Sequence, residues 1–368
     1  MKLLYITNQI CGAGGLERVL SIKTNYFIDV LGYEIHIITL NQENTPLFYE
    51  FSKKIVFHDL KVKGNPIIYL KKYIKGLKSK VAQIQPEIIS VCDDGLKGFF
   101  VPLILKRKYP TVYERHASKD IFKKNDKLGI FEKIKLNTIY KFMEVGGRFF
   151  DAFVVLTNDN LTEWKYKNLH VIPNPLSFLE ENHALLVNKK VISVGNHSFQ
   201  KGHDRLLKIW SLIHEKHKDW QLEIYGKIDD DKKNIKLAEQ LGITDSVSFF
   251  NPVKNIQEKY LSASIYVMTS RSEGFGMVLI EAFANGLPCI AFDCPCGPKD
   301  IISNDKDGFL IPDNDFENYT NKLKELMVNE KLRLSMGKKA KEKSKMYLPN
   351  QIMPLWDTLF KNIIFNKK

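Results

Sequence analysis

The stretch "KLLYITNQICGAGGLERVLSIKTNYFIDVLGYEIHIITL" covers Lys2–Leu40, and its order of elements decides the fold. An apolar run, Lys2–Thr7, reads as a strand. A polar, glycine-bearing loop follows it. Helical periodicity then runs from Leu16 to Leu31 and stops at Gly32, and Tyr33–Leu40 is a second strand. Strand, loop, helix, strand is a βαβ unit, which implies a parallel sheet. Strand-like segments at Glu87–Asp93, Thr111–His116, Ala152–Thr157 and Leu169–Asn174 continue the alternation.

The second half opens in the same way. "KKVISVG" (Lys189–Gly195) reads as a strand and "NHSFQKG" as a loop. His203–His217 has helical periodicity, and "WQLEIYG" (Trp220–Gly226) is the next strand. "SVSFFN", "SIYVMTS", "PCIAFD" and "GFLIP" add four more strands. The sequence therefore predicts an α/β protein of two doubly wound, Rossmann-like domains facing a cleft. The expected division is 1–174, a linker over 175–189, 190–346, and a helix over 347–368 that can return to the first domain. Sheets of this kind bind ligands at the carboxyl ends of their strands, and two of them place the site in the cleft.

Bulk composition agrees with this plan. The chain has 368 residues, 44% hydrophobic and 26% charged, which suits two soluble domains of ordinary size. "MKLLYIT" enters a strand with no cleavable apolar region, and "GFFVPLIL" (Gly98–Leu105) is too short to span a bilayer. The expected location is cytoplasmic, with peripheral contact at the inner face of the plasma membrane. Among the five cysteines, Cys294 and Cys296 lack a second Cys/His pair to complete a tetrahedral site, so reduced thiols and no metal are expected. The net charge of +13 is uneven: residues 1–175 hold 27 Lys+Arg against 17 Asp+Glu, and Lys61–Lys80 has seven lysines and no acid. That asymmetry calls for a polyanionic partner. No zinc-finger, RRM or KH signature points to nucleic acid, which leaves an anionic membrane surface or a lipid diphosphate.

The loops narrow the chemistry. Gly12-Ala13-Gly14-Gly15 does not fit a dinucleotide fingerprint, the second strand ends without an acid, and no Walker A loop is present. "RSEGFGMVLIE" (Arg271–Glu281) is more informative. A helix is predicted from Met277 to Asn285, ended by Gly286 and Pro288. Gly274 and Gly276 let the preceding backbone approach a ligand, and the amides of Gly276, Met277 and Val278 form an anion site at the helix start. Glu281 can reach ribose hydroxyls, and Glu273 lies nearer the reacting end of the ligand.

On these residues the chain resembles the GT-B glycosyltransferases of family 4. "EGFGMVLIE" matches their E-x7-E element, and "SVGNHSFQKGHDRLLKIW" resembles their diphosphate loop. "VIPNP", "GPKDII" and "DGFLIP" also match. The resemblance spans nearly the whole chain and is most specific over Val191–Pro312. It implies that Lys201 contacts a nucleoside diphosphate and that Glu281 binds ribose. It places Glu273 and Phe275 along the donor, Val253 beside uracil, and His116 beside the sugar. Gly14 and Gly15 would face donor phosphate and acceptor. Asn196 stands where the family usually has arginine, so Arg205, Arg271 or Lys299 is a candidate substitute.

The implied reaction is sugar transfer with retention, by front-face attack, without cofactor. Acid pairs exist at Asp93-Asp94 and Asp229–Asp231, but they read as a strand end and a solvated turn, so metal independence is expected. The expected donor is a UDP-hexose or UDP-N-acetylhexosamine. The expected acceptor is a surface glycan (capsule or O-antigen) on a lipid diphosphate. The alternatives are a sugar-nucleotide epimerase and a non-catalytic nucleotide-sugar-binding partner.

Overall fold

The computed structural model describes residues 1–93, 95–123, 129–176 and 182–367. Asp94 and residues 177–181 of the expected linker lie outside the described residues. The chain separates into two units. Among the described residues, the first gathers 1–93, 95–119, 129–175 and 349–367, and the second gathers 120–123, 176 and 182–348.

The first unit is built on seven parallel strands: β1 (Lys2–Ile6), β2 (Glu34–Leu40), β3 (Val56–Leu60), β4 (Ile88–Val91), β5 (Thr111–Glu114), β6 (Ala152–Val155) and β7 (Leu169–Val171). Their order is β3-β2-β1-β4-β5-β6-β7. β1 pairs β2 from Lys2↔Glu34 to Ile6↔Ile38, and β4 from Leu3↔Ile88 to Ile6↔Val91. The winding direction reverses between β1 and β4, so the loops after these two strands open a crevice at the carboxyl edge. β1 reads as continuous apolar sequence because both of its faces are covered. The C-terminal helix Pro349–Asn366 belongs to this unit and supplies Met353, Trp356 and Phe360 to the core around Leu3, Tyr5 and Ile37. The Phe360 ring lies 5.7 Å from that of Phe27, on the helix Gly15–Asp29, and Tyr33 donates to Asp357.

The second unit has six parallel strands: β8 (Lys190–Val194), β9 (Gln221–Tyr225), β10 (Val247–Phe250), β11 (Ile265–Met268), β12 (Cys289–Asp293) and β13 (Gly308–Pro312). Their order is β10-β9-β8-β11-β12-β13, with the reversal between β8 and β11. The core packs Trp210, Leu222, Val267, Phe292 and Leu323, and the buried Trp210 indole donates to Ser246 Oγ at 3.0 Å. The chain is thus two doubly wound α/β units. Among the described residues, no helix is long and apolar enough to cross a membrane.

Trp356 is 1% exposed. Its truncation to alanine should destabilise the first unit by about 3–5 kcal/mol, because the cavity cannot fully collapse. Urea unfolding followed by fluorescence should show an early transition at lower denaturant and a second one that stays in place.

Candidate functional site

In the second unit the two loops at the reversal, after β8 and after β11, bring together two residues 72 positions apart. Lys201 Nζ donates to both carboxylate oxygens of Glu273, at 2.7 and 2.9 Å. Ser270 Oγ donates to the same carboxylate at 2.6 Å, and the Glu273 amide is tied to the Pro295 carbonyl. The lysine side chain keeps 27% exposure while the glutamate keeps 7%. An ammonium has three donors, and two of them are spent on Glu273.

Backbone geometry sets this pair. Gly202 has φ +63°, and a Cβ there would lie 2.2 Å from the Thr269 carbonyl oxygen, so only glycine lets the two loops touch. Thr269 Oγ1 returns a hydrogen bond to the Gly202 carbonyl at 2.8 Å. The stem of Lys201 runs over Gly195, where a Cβ would stand 3.2 Å from Cγ and Cδ. The helix Met277–Ala284 begins beside this pair, with Gly276 at φ +96° as its N-cap and no side chain capping it. Its first amides are free to meet an anion. Gly274 and Val278 are partly exposed, whereas Phe275 and Met277 are buried and the Phe275 ring packs edge-on against Tyr347 at 5.8 Å. Glu281 is fully buried, and Tyr260 Oη donates to its carboxylate at 3.2 Å. Val253 lies half-buried in the loop after β10.

Two of the three candidate substitute cations are paired with acids. Arg271 forms a two-pronged pair with Asp204, both contacts 2.8 Å, and also donates to the Phe199 carbonyl. Burial pushes the Asp204 carboxyl up, but Arg271 outweighs it and holds it below its ordinary value. Arg205 pairs with Asp313 at 2.7 Å. Lys299 is exposed on the short helix Pro298–Ile301. Asn196 uses its side-chain oxygen to accept from the Lys227 amide at 3.1 Å, a structural tie with no charge. His203, sealed inside the loop, is pulled down to about 3 by burial and by His197 and Lys201, so its ring is neutral at physiological pH.

In the first unit, His116 follows β5 and its Nε2 lies 3.1 Å from Glu114 Oε2. The same carboxylate receives Lys23 Nζ at 2.6 Å and Ser90 Oγ at 2.5 Å. Lys23 also sits 3.3 Å over the centre of the Trp356 ring. Burial alone would raise the Glu114 carboxyl, but Lys23 and His116 dominate and hold it at about 2. Cys92, Glu114 and His116 present ligand atoms within 4.8 Å of one another. Lys23 already supplies the cation there, so the group is an ion-pair network in character. Gly14 caps the helix Gly15–Asp29, and Glu17 lies under the loop: a Cβ on Gly12 or Gly14 would stand 2.6 or 2.5 Å from its carboxylate oxygens. Asp93 ties the neighbouring loops together, accepting from Asn8 Nδ2 and the Gly95 amide, each at 2.8 Å.

Comparison with known proteins decides the family. The sequence model described as "Glycosyl transferases group 1" matches residues 180–343. An uncharacterized glycosyltransferase of Haemophilus influenzae is 31% identical over 365 residues, covering 96% of this chain and 98% of the relative. The chain belongs to the group 1 glycosyltransferases. The amylovoran biosynthesis glycosyltransferase AmsD of Erwinia amylovora is 28% identical over 372 residues, 97% of this chain and 99% of the relative. Among solved structures, the sucrose-phosphate synthase of Thermosynechococcus elongatus superposes with a TM-score of 0.85 at 17% identity, covering all of both chains. The fold of this glycosyltransferase is GT-B, as its sequence predicts.

Several groups at these loops escape sequence reasoning. Ser270 is an ordinary serine at a strand end until the structure sets it on Glu273. Glu17 carries a weak signal, an acid at the third helical position after Gly14, where capping carboxylates are common. Glu114 and Lys23 are single charges in apolar periods, and nothing in one sequence pairs positions 91 apart.

The buried pair has a pH signature. Glu114 is depressed in the folded state, so its stabilisation is complete above the unfolded value near 4.5 and is lost as pH falls toward about 2. The shift corresponds to about 3 kcal/mol. Acid titration of stability should therefore show this loss in wild type. Glu114→Gln should flatten the slope and lower stability at pH 7 by about 3–5 kcal/mol, because Lys23 is left buried without its counter-ion.

Proposed function

We propose that this glycosyltransferase is a retaining enzyme of family 4 that moves a hexose or N-acetylhexosamine from a UDP-sugar to a growing surface polysaccharide carried on a lipid diphosphate. The observation that carries the reading is the Lys201–Glu273 pair beside the uncapped start of the helix Met277–Ala284. It joins a partly exposed cation, a fixed carboxylate and free amides at the carboxyl edge of a doubly wound sheet. The biosynthetic role named for the Erwinia relative supports a polysaccharide product.

In this mechanism the leaving diphosphate is stabilised by the third Lys201 donor and by the amides of Gly276, Met277 and Val278. With Arg271 and Arg205 committed to Asp204 and Asp313, this lysine and these amides carry the charge. A divalent ion is not required. Glu281 and Val253 serve ribose and uracil, Gly14 and Gly15 face the phosphate and acceptor, and Glu273 with His116 orients the sugar. The acceptor hydroxyl attacks from the side the diphosphate leaves, and a departing phosphate oxygen takes its proton. His116 is anchored through Nε2 on the Glu114 carboxylate, which fixes the orientation of the ring for its part in placing the sugar. Residues 1–174 bind the acceptor, and residues 190–346 bind the donor.

Incubation with a panel of UDP-sugars should give UDP release that persists in EDTA. Lys201→Ala and Glu273→Gln should each lower kcat by about 10²–10³, in the range for loss of one preorganised charge-stabilising group. Tight UDP binding with no turnover on any donor, or full loss of rate on chelation, would overturn the reading.

A further inference from the structure

The transfer chemistry leaves the lysine run Lys61–Lys80 unused. Most of it lies on the helix Pro66–Ile84, whose inward face buries Tyr73, Leu77, Val81 and Ile84. The outward face carries Lys71, Lys72, Lys75 and Lys78, all exposed. Among the described residues, no acid lies in ion-pair distance of Lys71, Lys75 or Lys78. The first turns of the same helix leave Ile67 (68% exposed), Ile68 and Leu70 in water. A second helix of this unit, Ile130–Gly147, repeats the pattern. Ile130, Phe131 (88% exposed) and Ile134 stand out at its start, with Lys133 and Lys135 beside them and Glu132 accepting from the Gly129 amide at 3.1 Å. Large apolar side chains clustered on an exposed surface mark an interaction site.

Topology relates the two helices. The connections from β3 to β4 and from β5 to β6 both step across the sheet in the same direction, toward β7. Right-handed crossovers then place both helices on one face, opposite the helix Gly15–Asp29, whose connection steps the other way. Each helix also starts after the carboxyl end of its preceding strand. Both apolar first turns therefore lie toward the edge that carries Gly14, Gly15 and His116.

We propose that this part of the first unit docks on an anionic phospholipid bilayer, with the two apolar helix starts entering the interfacial layer and the lysines meeting lipid phosphates. The inference deepens the reading above, since it brings the edge that would take a lipid-linked acceptor to the surface that carries one. Two features select a bilayer. The apolar residues stand exposed on the first turns of two helices, as entry into the interfacial layer of a bilayer requires. The helix Pro66–Ile84 carries lysines and no acid, so a second copy apposed there would press lysine against lysine, whereas anionic lipid complements it.

Flotation tests the proposal, using the full chain with vesicles of phosphatidylcholine alone or mixed in equal parts with phosphatidylglycerol. Wild type should float with the mixed vesicles and not with phosphatidylcholine, and high salt should release it. The combined change Lys71→Gln, Lys75→Gln, Lys78→Gln should weaken partitioning about a hundredfold, at about fivefold per lysine. Ile67→Asp with Phe131→Asp should weaken it by more than tenfold. These positions are exposed, so thermal melts and UDP affinity should match wild type in every variant. Equal binding to both vesicle types, no binding to either, or variants that float like wild type would overturn the proposal. So would a wild-type dimer that the aspartate variants dissociate. UDP release in the absence of vesicles reports on the transfer reaction alone, so failure to dock and failure to catalyse are read separately.

Discussion

The contact between Lys201 and Glu273 constrains the loops at the carboxyl edge of the second unit. It requires a loop after β8 and a loop after β11 to meet at one point, and the meeting is possible because Gly202 presents no side chain to the Thr269 carbonyl. Once the loops meet, an ammonium and a carboxylate are locked together at the mouth of a helix whose first amides lack a cap. The carboxylate offsets part of the lysine's charge and ties its ammonium in place. The Arg271–Asp204 clamp acts one layer further back. It consumes its own charge and fixes the backbone from Phe199 to Asp204, which carries Lys201.

The first unit solves a related problem with different materials. There the charged network is sealed: Lys23, Glu114 and Ser90 are buried, and the Trp356 ring from the C-terminal helix closes over the lysine. A buried ion pair is weak evidence for stability by itself, but it is costly to break and so fixes geometry. Its product is a defined His116. With Glu114 held ionised, the imidazole is anchored by Nε2 and its other nitrogen is oriented. The C-terminal helix thus contributes to the first unit's core and to the electrostatics beneath its candidate site, although it follows the whole second sheet in sequence.

Much of this was legible in the residues. The βαβ alternation gave both sheets because parallel strands, covered on both faces, are written as continuous apolar runs between glycine-bearing loops. The helix after Gly276 was legible because its end is punctuated by Gly286 and Pro288; the expected end at Asn285 and the observed Ala284 differ by the usual fraying of a last turn. What could not be read was pairing. Arg271 looked like a spare cation beside the diphosphate loop, and only three dimensions show it taken by Asp204. Glu114 is a single acid within an apolar strand segment, and its partner Lys23 lies far upstream. A single sequence records periods and punctuation, but it does not record which distant charges meet.

The uncharged Asn196 gains meaning from this accounting. At an effective dielectric near 20, one added cation about 4 Å from a phosphate oxygen contributes about 4 kcal/mol of attraction. That attraction acts on bound donor and on departing product alike, so part of it only slows release and does not lower the barrier. On the proposed reading, a site in which one lysine is half-committed to Glu273 and the remaining donors are backbone amides would hold a diphosphate less tightly. Its donors are also fixed in place before the bond breaks, which is where preorganised dipoles are most effective. Under that proposal an uncharged Asn196 would be compatible with turnover, provided the loop geometry survives. The Asn196 tie to Lys227 and the Arg271 clamp preserve that geometry.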